Sequence, residues 1–450
     1  MTSIINFDRF MMGFTLGSHI LIVTLTIGIS VVMSVIEFLG IYLKDKGYEV
    51  MARRLSRALA IFFAIGTASG TVLAIELFSL WPNFMVLVGK IDILPFYYEV
   101  FAFFLESISL VLYIYYWDYF KNRYQHWLLS VLVAAGTLLS AVFITMVNAW
   151  MNTPAGFNLS EYRLNGTVAD VNPLAAMFSP SSWIEIGHVV PATLAAGSFA
   201  LLAYFAINYL RSKTDIARSI YMKSIRVAAI VGLIAIGIAG LTGDESMRML
   251  YSLQPLKYAA IELNFHSSTD AAEKLGGIVI NGVPQYYIAV PGLQEFIMFL
   301  SFNAHQAVPY LTEFPKSQWP PLFIHLTFDT MVGGGALVGL FALLLFVRII
   351  FRKDISGKFY LYSMIISGIL LEIVYDSGWV TDEVGRQPYI IYNNIMTVAS
   401  AANTSPSVLP LGIGIIIFYC IAVPFTFYFS AKVLGNVSIE KEIERVGDVK

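Results

Sequence analysis

The stretch that decides the fold is residues 360–389, which read YLYSMIISGILLEIVYDSGWVTDEVGRQPY. Most of 360–380 is apolar, and an α-helix needs about 20 such residues to cross a bilayer. Polar residues follow at once and place Glu383, Arg386 and Gln387 at the mouth of this helix. Charged groups at a membrane boundary are costly unless they are paired or bound to a ligand. The segment therefore predicts a membrane helix that ends in a functional site.

The rest of the chain repeats this pattern. It has 450 residues, of which 13% are charged, whereas a soluble protein carries about 25%. Nine apolar runs are long enough to cross a bilayer. They lie at about 12–42, 58–80, 96–118, 127–150, 188–210, 222–242, 321–351, 360–380 and 408–433. The sequence predicts an all-α, polytopic membrane protein with about nine transmembrane helices.

The charges of the connecting segments predict the orientation of these helices. Every second connection is rich in lysine and arginine: Lys44, Lys46, Arg53, Arg54 and Arg57; Lys121 and Arg123; Arg211, Lys213, Arg218 and Lys223; Arg348, Arg352, Lys353 and Lys358. The alternating connections are poor in both residues for their length. The positive-inside rule then places the N-terminus outside and the C-terminus inside. No basic segment with a cleavage site precedes Ile20, so the first helix is predicted to be retained.

Charge and cysteine content exclude other classes of protein. A net charge of −2 gives no basic footprint for nucleic acid. The single Cys420 excludes a disulfide framework within the chain and is predicted to pack in the core. The predicted organisation is helices one to six in 1–242, an extracytoplasmic loop in 243–320, helices seven to nine in 321–434 and a cytoplasmic tail in 435–450.

Three side chains in the predicted helices are candidate haem ligands. His19 lies in the outer part of helix one and His188 opens helix five, but a lone histidine in an apolar helix is more often a hydrogen-bonded core residue. Met331 lies in helix seven, where methionine usually serves packing. The glycines at 333–335 remove side-chain bulk where a flat macrocycle could press on the backbone. Histidine and methionine are a known axial pair for haem iron, so both interpretations stay open.

Two acids lie on one face of predicted helix three. Glu99 and Glu106 are seven residues apart, which is nearly two turns, so their carboxyl groups face one side about 10 Å apart. Two ionisable groups on one face inside a membrane suggest a proton path, although pairing with another helix also explains each of them. Helices seven and eight add Asp329, Glu372 and Asp376.

The outer loop contains a candidate binding pair. Lys257 and Glu262 are five residues apart, or about 500° around a helix, so they do not stack directly. They can still converge on one small polar headgroup. By composition alone the segment is an ordinary solvated loop, and that interpretation also stays open.

Taken together, these residues resemble the haem-bearing subunit I of cytochrome bd-type ubiquinol or menaquinol oxidases. The similarity covers nearly the whole chain in the same order, and it includes the segments 148–154 and 378–389. Matching ligand positions on four separate helices are more specific than any one motif.

The resemblance implies the iron ligands. His19 corresponds to the histidine ligand of an active-site haem. His188 and Met331 correspond to the two axial ligands of a low-spin haem b, and Glu383 to the ligand of a high-spin haem. Further haem contacts are implied for Trp379, Arg386 and Gln387, of which Arg386 and Gln387 are candidate propionate partners.

The resemblance also implies where quinol and protons bind. Lys257 and Glu262 correspond to the quinol-binding pair of the outer loop, called the Q loop. The implied proton-path residues are Glu99, Glu106, Ser107 and Ser140.

The acids of helix three differ slightly from the family pattern. Glu99 and Glu106 are one residue closer together than expected, so Tyr98 could occupy the family's glutamate position. A local helix bulge would bring Glu99 back into place.

Other positions also differ. Asp329, two residues before Met331, stands where an arginine is expected near the haem propionates, and an acid there repels propionates unless it is protonated or paired. The final motif ends in Tyr389 rather than tryptophan. The Q loop is short and lacks the insertion of the long-loop subgroup.

The implied activity is quinol oxidation at the outer face and reduction of O2 to water with protons from inside, which generates proton-motive force without pumping. The implied cofactors are two haem b and one haem d, although the third haem could also be b. The implied partners are quinol, O2 and a homologous membrane subunit II, with room for small single-helix subunits. The implied location is the prokaryotic cell membrane.

Two other functions are weighed against this one. A membrane electron-transfer cytochrome without O2 chemistry needs His188 and Met331 but neither His19 nor Glu383, and all four are present. A proton-coupled transporter predicts inverted repeats and broken helices, and the sequence shows neither.

Overall fold

The computed structural model describes residues 2–269, 271–299, 307–435 and 437–448. The helices of the first half of the chain are α1 (Thr2–Leu43), α2 (Lys46–Leu80), α3 (Pro82–Ile91), α4 (Leu94–Tyr115), α5 (Arg123–Asn152), α6 (Leu159–Asn165), α7 (Pro173–Met177) and α8 (Ser182–Arg211). Those of the second half are α9 (Asp215–Leu253), α10 (Pro255–Ile261), α11 (Leu293–Phe299), α12 (Ile324–Ile350), α13 (Lys358–Gly385), α14 (Val398–Ala401), α15 (Val408–Gly435) and α16 (Ile439–Asp448).

Within these described ranges, nine helices are long and apolar enough to cross a membrane. They are α1, α2, α4, α5, α8, α9, α12, α13 and α15. This confirms the predicted all-α polytopic class, while the orientation of the termini stays a prediction. Cys420 was predicted to pack in the core, which is wrong, because it is exposed on α15.

Most of the described spans are longer than the predicted apolar runs, and α1 and α9 extend furthest at the loop end. α1 begins at Thr2, well before position 12. Its first turns pack into the protein, where Asp8 is buried and Arg9 donates a hydrogen bond to Gln387. α9 runs to Leu253, well beyond the predicted apolar run at 222–242, while the predicted boundary of the extracytoplasmic segment at 243 stays a prediction. The extension is supported by an ion pair between Asp244 and Arg248, 3.0 Å apart and one helical turn from each other.

Short connections join the spans at one end of the bundle, which we call the basic end because it carries the lysine- and arginine-rich segments. Three of the four helices that follow these connections, α2, α5 and α9, begin with a side-chain cap. Asp45 accepts a hydrogen bond from the Gly47 amide at 2.9 Å, and Asn122 accepts one from the Tyr124 amide at 3.0 Å. Such caps each stabilise a helix by about 1 kcal/mol, so these turns fix where α2 and α5 start.

The opposite end, which we call the loop end, carries the long segment between α9 and α12. It holds the antiparallel pairs β1 (Glu273–Leu275) with β4 (Ile288–Val290) and β2 (Ile278–Ile280) with β3 (Val283–Gln285). Asn281 and Gly282 join β2 to β3, both with positive φ, as a two-residue hairpin turn requires. A third pair, β5 (Tyr389–Ile391) with β6 (Met396–Thr397), follows α13.

The chain after α15 is not an unstructured tail. α16 packs against α2, where Glu442 lies 3.4 Å from Arg54 and 2.5 Å from Arg57. Arg54, which is buried, also donates to the carbonyl oxygens of Leu434 and Val437. The cationic surface of α2 is therefore partly neutralised by this last helix.

The centre of the bundle depends on one backbone contact between α1 and α8, the two most buried spans. A Cβ added at Gly197 would lie 2.1 Å from the Thr24 carbonyl oxygen and 2.8 Å from the Cα of Gly28. Only glycine fits on both sides of this crossing. The contact sets the distance between the two helices on which the histidines of the candidate site lie.

We predict that Gly197→Ala destabilises the protein, because overpacking a core costs about 1–3 kcal/mol. The matched control is Gly414→Ala in α15, where an added Cβ meets no atom within 4 Å. Thermal unfolding in detergent, followed by tryptophan fluorescence, should show a lower midpoint for Gly197→Ala and an unchanged or higher midpoint for Gly414→Ala. Equal midpoints would show that this crossing does not limit stability.

Candidate functional site

A cavity of about 920 Å³ opens between α8, α9, α12 and α13. Its volume lies in the range of about 300–1,000 Å³ that is usual for cofactor and ligand sites. His188 and Met331, from two different helices, both line it. The two residues that the sequence paired as axial ligands therefore share one cavity.

The local structure leaves one nitrogen of His188 available. Its Nδ1 lies 2.9 Å from the Ala239 carbonyl oxygen, so Nδ1 carries the proton and donates it. Nε2 then presents its lone pair, an arrangement that is usual for histidines that bind metals. Gly243 provides the space, because a Cβ there would lie 3.3 Å from the ring carbon Cε1.

Glycines flatten the cavity wall near Met331, but not all those that the sequence indicated. Gly335 lines the cavity, as does Gly378, where a Cβ would lie 2.8 Å from the sulfur of Met331. Gly334 instead gives room to Val374 of α13, and Gly333 is exposed. Of the three glycines at 333–335, Gly335 therefore lines this cavity, and their contact with a macrocycle stays a prediction.

Lys257 and Glu262 line the same cavity from α10 and its C-terminal end. Lys257 is buried and its ammonium group donates to Asp382. Glu262 is also buried, and within the described residues its Oε2 has no hydrogen-bond partner. The solvated-loop interpretation is therefore wrong for these two residues.

Asp382 belongs to a buried network of charges that the sequence did not reveal. Its carboxylate lies between Lys257 and Arg386 and accepts hydrogen bonds from Asn148 at 2.7 Å and Asn152 at 3.1 Å. Both asparagines also donate to Glu185, each at 3.0 Å. The spacing of Asn148 and Asn152, one turn apart in an apolar helix, is the signal that could have pointed to this network.

Arg386 lies at the centre of this network and is not a solvent-exposed side chain at the end of α13. It is 1% exposed, and its Nη1 donates to Asn148 at 2.8 Å and to Asn152 at 3.0 Å. Burial alone would lower its pKa, but the carboxylates of Glu383 and Asp382 reverse this, and the pKa is raised. Its Nε has no partner among the described residues and remains available to an anionic group.

The other residues of the motif have distinct positions. Glu383 pairs with Arg386 Nη2. Gln387 accepts a hydrogen bond from Arg9, which ties the end of α13 to the start of α1. Trp379 lines the cavity. The motif thus forms the last two turns of α13 together with its cap.

His19 lies outside this cavity, on α1 and against α2. Its Nδ1 is 2.8 Å from the Ser69 hydroxyl, which leaves Nε2 available. A Cβ at Gly70 would lie 3.3 Å from the ring, so glycine again gives room beside a histidine. Within the described chain, neither His19 nor Glu383 lines the 920 Å³ cavity, so any group they hold occupies a different site.

The donor set fits haem better than a bare metal ion. Among the described residues, no group of three or more histidine, cysteine, aspartate or glutamate side chains could hold a metal ion. A haem iron needs only axial ligands, because its macrocycle supplies the other four. His188 with an available nitrogen, Met331 and the glycine-lined wall satisfy that requirement.

The acids of α4 face α5. Ser140 donates to Glu99 at 2.8 Å, whereas Tyr98 is exposed and stacks on Phe143. Glu99 therefore faces the protein interior and Tyr98 does not. Glu106 is buried with its Oε1 unpartnered in the described structure.

Ser107 does not join these acids through its side chain. Its hydroxyl donates to the Phe104 carbonyl oxygen of its own helix at 3.2 Å. Of the four predicted proton-path residues, Glu99 and Ser140 are therefore in direct contact.

Asp329 has a structural partner that the sequence did not suggest. Its carboxylate accepts a hydrogen bond from the Gly276 amide at 2.5 Å and lies 3.5 Å from His325. His325 in turn contacts the carbonyl oxygens of Ile261 and Gly276. Asp329 and His325 thus attach the segment between α10 and α12 to α12, and the effect of Asp329 on haem propionates stays a prediction.

The loop beside the cavity holds a second group of buried charges. Burial raises the pKa of Glu262 well above its usual value, and the neighbouring Glu273 raises it further. Burial likewise raises the pKa of Glu273 and lowers that of Lys274. Lys274 donates to the Glu262 carbonyl oxygen at 3.2 Å and to Asn264 at 3.1 Å.

Comparisons with known proteins agree with one another. The family model described as cytochrome bd terminal oxidase subunit I matches residues 7–437. A putative cytochrome bd menaquinol oxidase subunit I of Bacillus subtilis is 33% identical, over 95% of this chain and 93% of the relative. A cytochrome bd ubiquinol oxidase subunit 1 of the same species is 29% identical, over 89% of this chain and 86% of the relative. The structure of bd oxidase from Geobacillus thermodenitrificans matches with a TM-score of 0.90 and 32% identity, over 97% of this chain and 99% of that chain.

We predict that Asp382→Asn destabilises the protein by about 3–5 kcal/mol, because it leaves two buried cations without their shared anion. Adding Lys257→Met removes one of these cations and should restore part of the loss. Asp118→Asn is the control, since its partner Arg53 is exposed and such pairs contribute about 0–1 kcal/mol. Chemical unfolding in detergent measures all three. A double variant less stable than Asp382→Asn would contradict the charge argument.

We predict that the loop between α10 and α12 loses stability as pH rises, because Glu262 is more easily protonated when folded than when unfolded. Its contribution is fully present below its usual pKa and is lost as pH rises through the raised value. Limited proteolysis at pH 6 and pH 9 should therefore cleave the wild-type loop faster at pH 9. Glu262→Gln should remove most of this difference, whereas the exposed Glu313→Gln should keep it. An unchanged pH effect in Glu262→Gln would assign it to another group.

Proposed function

The chain belongs to the cytochrome bd terminal oxidase subunit I family, and on that premise we propose that it is the haem-bearing subunit of a quinol:O2 oxidoreductase. In this proposal quinol is oxidised at the loop end, and O2 is reduced to water with protons from the basic end. The observation that carries the proposal is the shared cavity, which is lined by His188 and Met331 and also by Lys257 and Glu262.

His188 and Met331 are the proposed axial ligands of a low-spin haem b. When bound, this haem supplies one-electron transfer between quinol and the O2-reducing centre. The hydrogen bond from His188 to Ala239 fixes the ring so that Nε2 faces away from α9. Trp379 and the glycines of the wall exclude water and leave space for the macrocycle.

Lys257 and Glu262 are the proposed quinol-binding residues. An ammonium group has three N–H donors, so Lys257 can bind a quinol oxygen while it keeps its bond to Asp382. Quinol oxidation releases two protons and two electrons. The unpartnered Oε2 of Glu262 is a suitable acceptor for one of those protons, because it is buried in the same cavity.

His19 and Glu383 are the proposed ligands of the two remaining haems, at which O2 reacts. His19 keeps Nε2 available, and Glu383 has a carboxylate oxygen beyond the one that contacts Arg386. Arg386, through its unpartnered Nε, and Gln387 are proposed to bind haem propionates. The proposed complement is two haem b and a third haem, d or b, which pigment extraction identifies.

Glu99 and Glu106, with Ser140 and Ser107, are the proposed inner proton path. One O2 takes up four electrons and four protons to form two waters. If quinol releases its protons at the loop end and O2 chemistry draws its protons from the basic end, charge is separated without a pump. We also propose that the chain assembles with a homologous membrane subunit II, and with small single-helix subunits, in the cytoplasmic membrane of a prokaryote.

We predict that His188→Ala, expressed together with its partner subunit, loses the low-spin haem b band and reduces quinol-driven O2 uptake to background. Met331→Leu keeps side-chain volume but removes the sulfur, so it should convert the low-spin signal to a high-spin one. The control is His325→Gln, because His325 only anchors the loop. Visible spectra and oxygen-electrode rates measure these outcomes, and a full low-spin band in His188→Ala would refute ligation there.

A further inference from the structure

A buried acid–base pair lies near the basic end, far from the cavity. Glu37 of α1 is 1% exposed and His126 of α5 is 0% exposed. The Glu37 Oε1 and His126 Nδ1 atoms are 2.5 Å apart. Neither residue has a role in the quinol or haem sites, and the sequence analysis did not single out either one.

The contacts of His126 suit a group that binds and releases a proton. Its Nε2 lies 2.9 Å from the Tyr113 carbonyl oxygen, while Nδ1 faces Glu37. Both nitrogens thus face acceptors, and only the doubly protonated ring can donate to both. Within the described structure, Glu37 Oε2 and the Tyr113 hydroxyl are buried without a hydrogen-bond partner. The pair therefore has capacity for one proton more or one fewer.

Charged residues connect this pair to the basic end. The guanidinium of Arg123 lies 4.0 Å from Glu37 and 3.2 Å from Glu49. The Glu49 side chain is 33% exposed, whereas Glu37 is not exposed. Arg123 also lies over the ring of Trp117, as does Arg53, which pairs with Asp118. Glu49 and Arg123 are thus the last partly exposed groups before the buried pair.

Hydroxyl groups continue from the pair into the membrane. The Ser34 and Ser130 hydroxyls are 3.1 Å apart, and those of Ser30 and Thr137 are 3.0 Å apart. Ser30 and Ser34 are one helical turn apart, or about 6 Å along α1. All four side chains are buried. They form a ladder along the contact between α1 and α5.

The ladder ends at the acids of α4. Gly136, next to Thr137, touches Glu106 so closely that a Cβ there would lie 2.7 Å from the Glu106 amide nitrogen. On α4, Tyr113, Ser109 and Glu106 lie on one face at spacings of four and three residues, and all are buried. Buried polar side chains of three helices thus lie along the contacts of α1 and α4 with α5, between the buried pair and Glu106, and we call them the polar seam.

We propose that Glu37 and His126 are the proton-uptake site of the oxidase, and that the hydroxyl ladder passes protons from them to Glu106. This inference rests on the proposed function. A proton from the basic end binds at Glu37 or His126, and the proton it displaces moves to the next hydroxyl. Only O–H and N–H bonds form and break, and each uptake is balanced by one delivery to the O2 site.

A purely structural role predicts something different. If the pair only joins α1 to α5, Glu37→Gln keeps a hydrogen bond to His126 and changes little besides stability. If it relays protons, the same change stops transfer, because an amide does not titrate. The rate of proton uptake therefore distinguishes the structural role from the relay, whereas the stability of the Glu37→Gln variant does not.

The test uses the complete oxidase in liposomes, with proton uptake followed by a pH dye as the reduced enzyme reacts with O2. We expect Glu37→Gln to slow uptake by a factor on the order of 100 or more. Haem content, and haem reduction by quinol without O2, should stay at wild-type values. The matched control is Asp215→Asn, at the basic end but outside the seam, where the acid side chain is fully exposed; it should change uptake less than twofold.

A second variant tests the relay if Glu37→Gln does not fold. Thr137→Val keeps the side-chain shape but breaks the ladder at Ser30, so it too should slow uptake and leave anaerobic haem reduction unchanged. Wild-type uptake in both folded variants would overturn the relay. A wild-type protein that binds haem but consumes no O2 with quinol would instead overturn the proposed function, so the two failures are distinguishable.

Discussion

The carboxylate of Asp382, held between Lys257 and Arg386, is the interaction on which the rest of this structure depends. A cation inside a membrane protein is tolerated only where an anion and hydrogen bonds replace its water. Here two cations reach one carboxylate from different segments, α10 and the end of α13. Because Asn148 and Asn152 of α5 complete the shell, the loop ends of three helices are fixed around one charge.

That constraint also explains the shape of the cavity. Lys257 is held by Asp382 at one wall, so α10 packs against α9, α12 and α13 beside the cavity. His325 and Asp329 attach the following loop to α12 from the other side. Glycines deepen the cavity, because the missing side chain of Gly243 leaves space for the His188 ring and that of Gly378 leaves space for the Met331 sulfur. A preformed cavity of this kind lowers the cost of ordering side chains when a ligand binds.

Much of this architecture follows from sequence. A long apolar run in a bilayer forms a helix, because a helix satisfies the backbone hydrogen bonds of the segment without water. Spacing along one helix also placed Glu99 and Glu106 on one face. The rest depends on contacts between helices, which no spacing reveals. Hydropathy ended α9 too early because Asp244 and Arg248 neutralise each other within the helix. Asp382 looked like an ordinary polar residue of a motif until Lys257, 125 positions away, was found against it. The Asn281-Gly282 turn, in contrast, is an Asn-Gly hairpin signal that the sequence alone carries.

The two ends of the bundle differ in how they handle buried charge. At the loop end, cations and carboxylates compensate one another in fixed ion pairs, which suits binding of substrate and cofactor. Near the basic end, Glu37 and His126 form a pair whose members can exchange a proton, with Arg123 between them and Glu49. The polar seam that leaves this pair runs along α1, α4 and α5, whereas the cavity lies among α8, α9, α12 and α13. Of the three helices of the seam, α5 reaches the cavity through Asn148 at its loop end, and the rest of the cavity is lined by other segments, so protons from the basic end and protons released by quinol need not mix. Separate routes are what a membrane oxidase requires if the sidedness of its chemistry is to store energy.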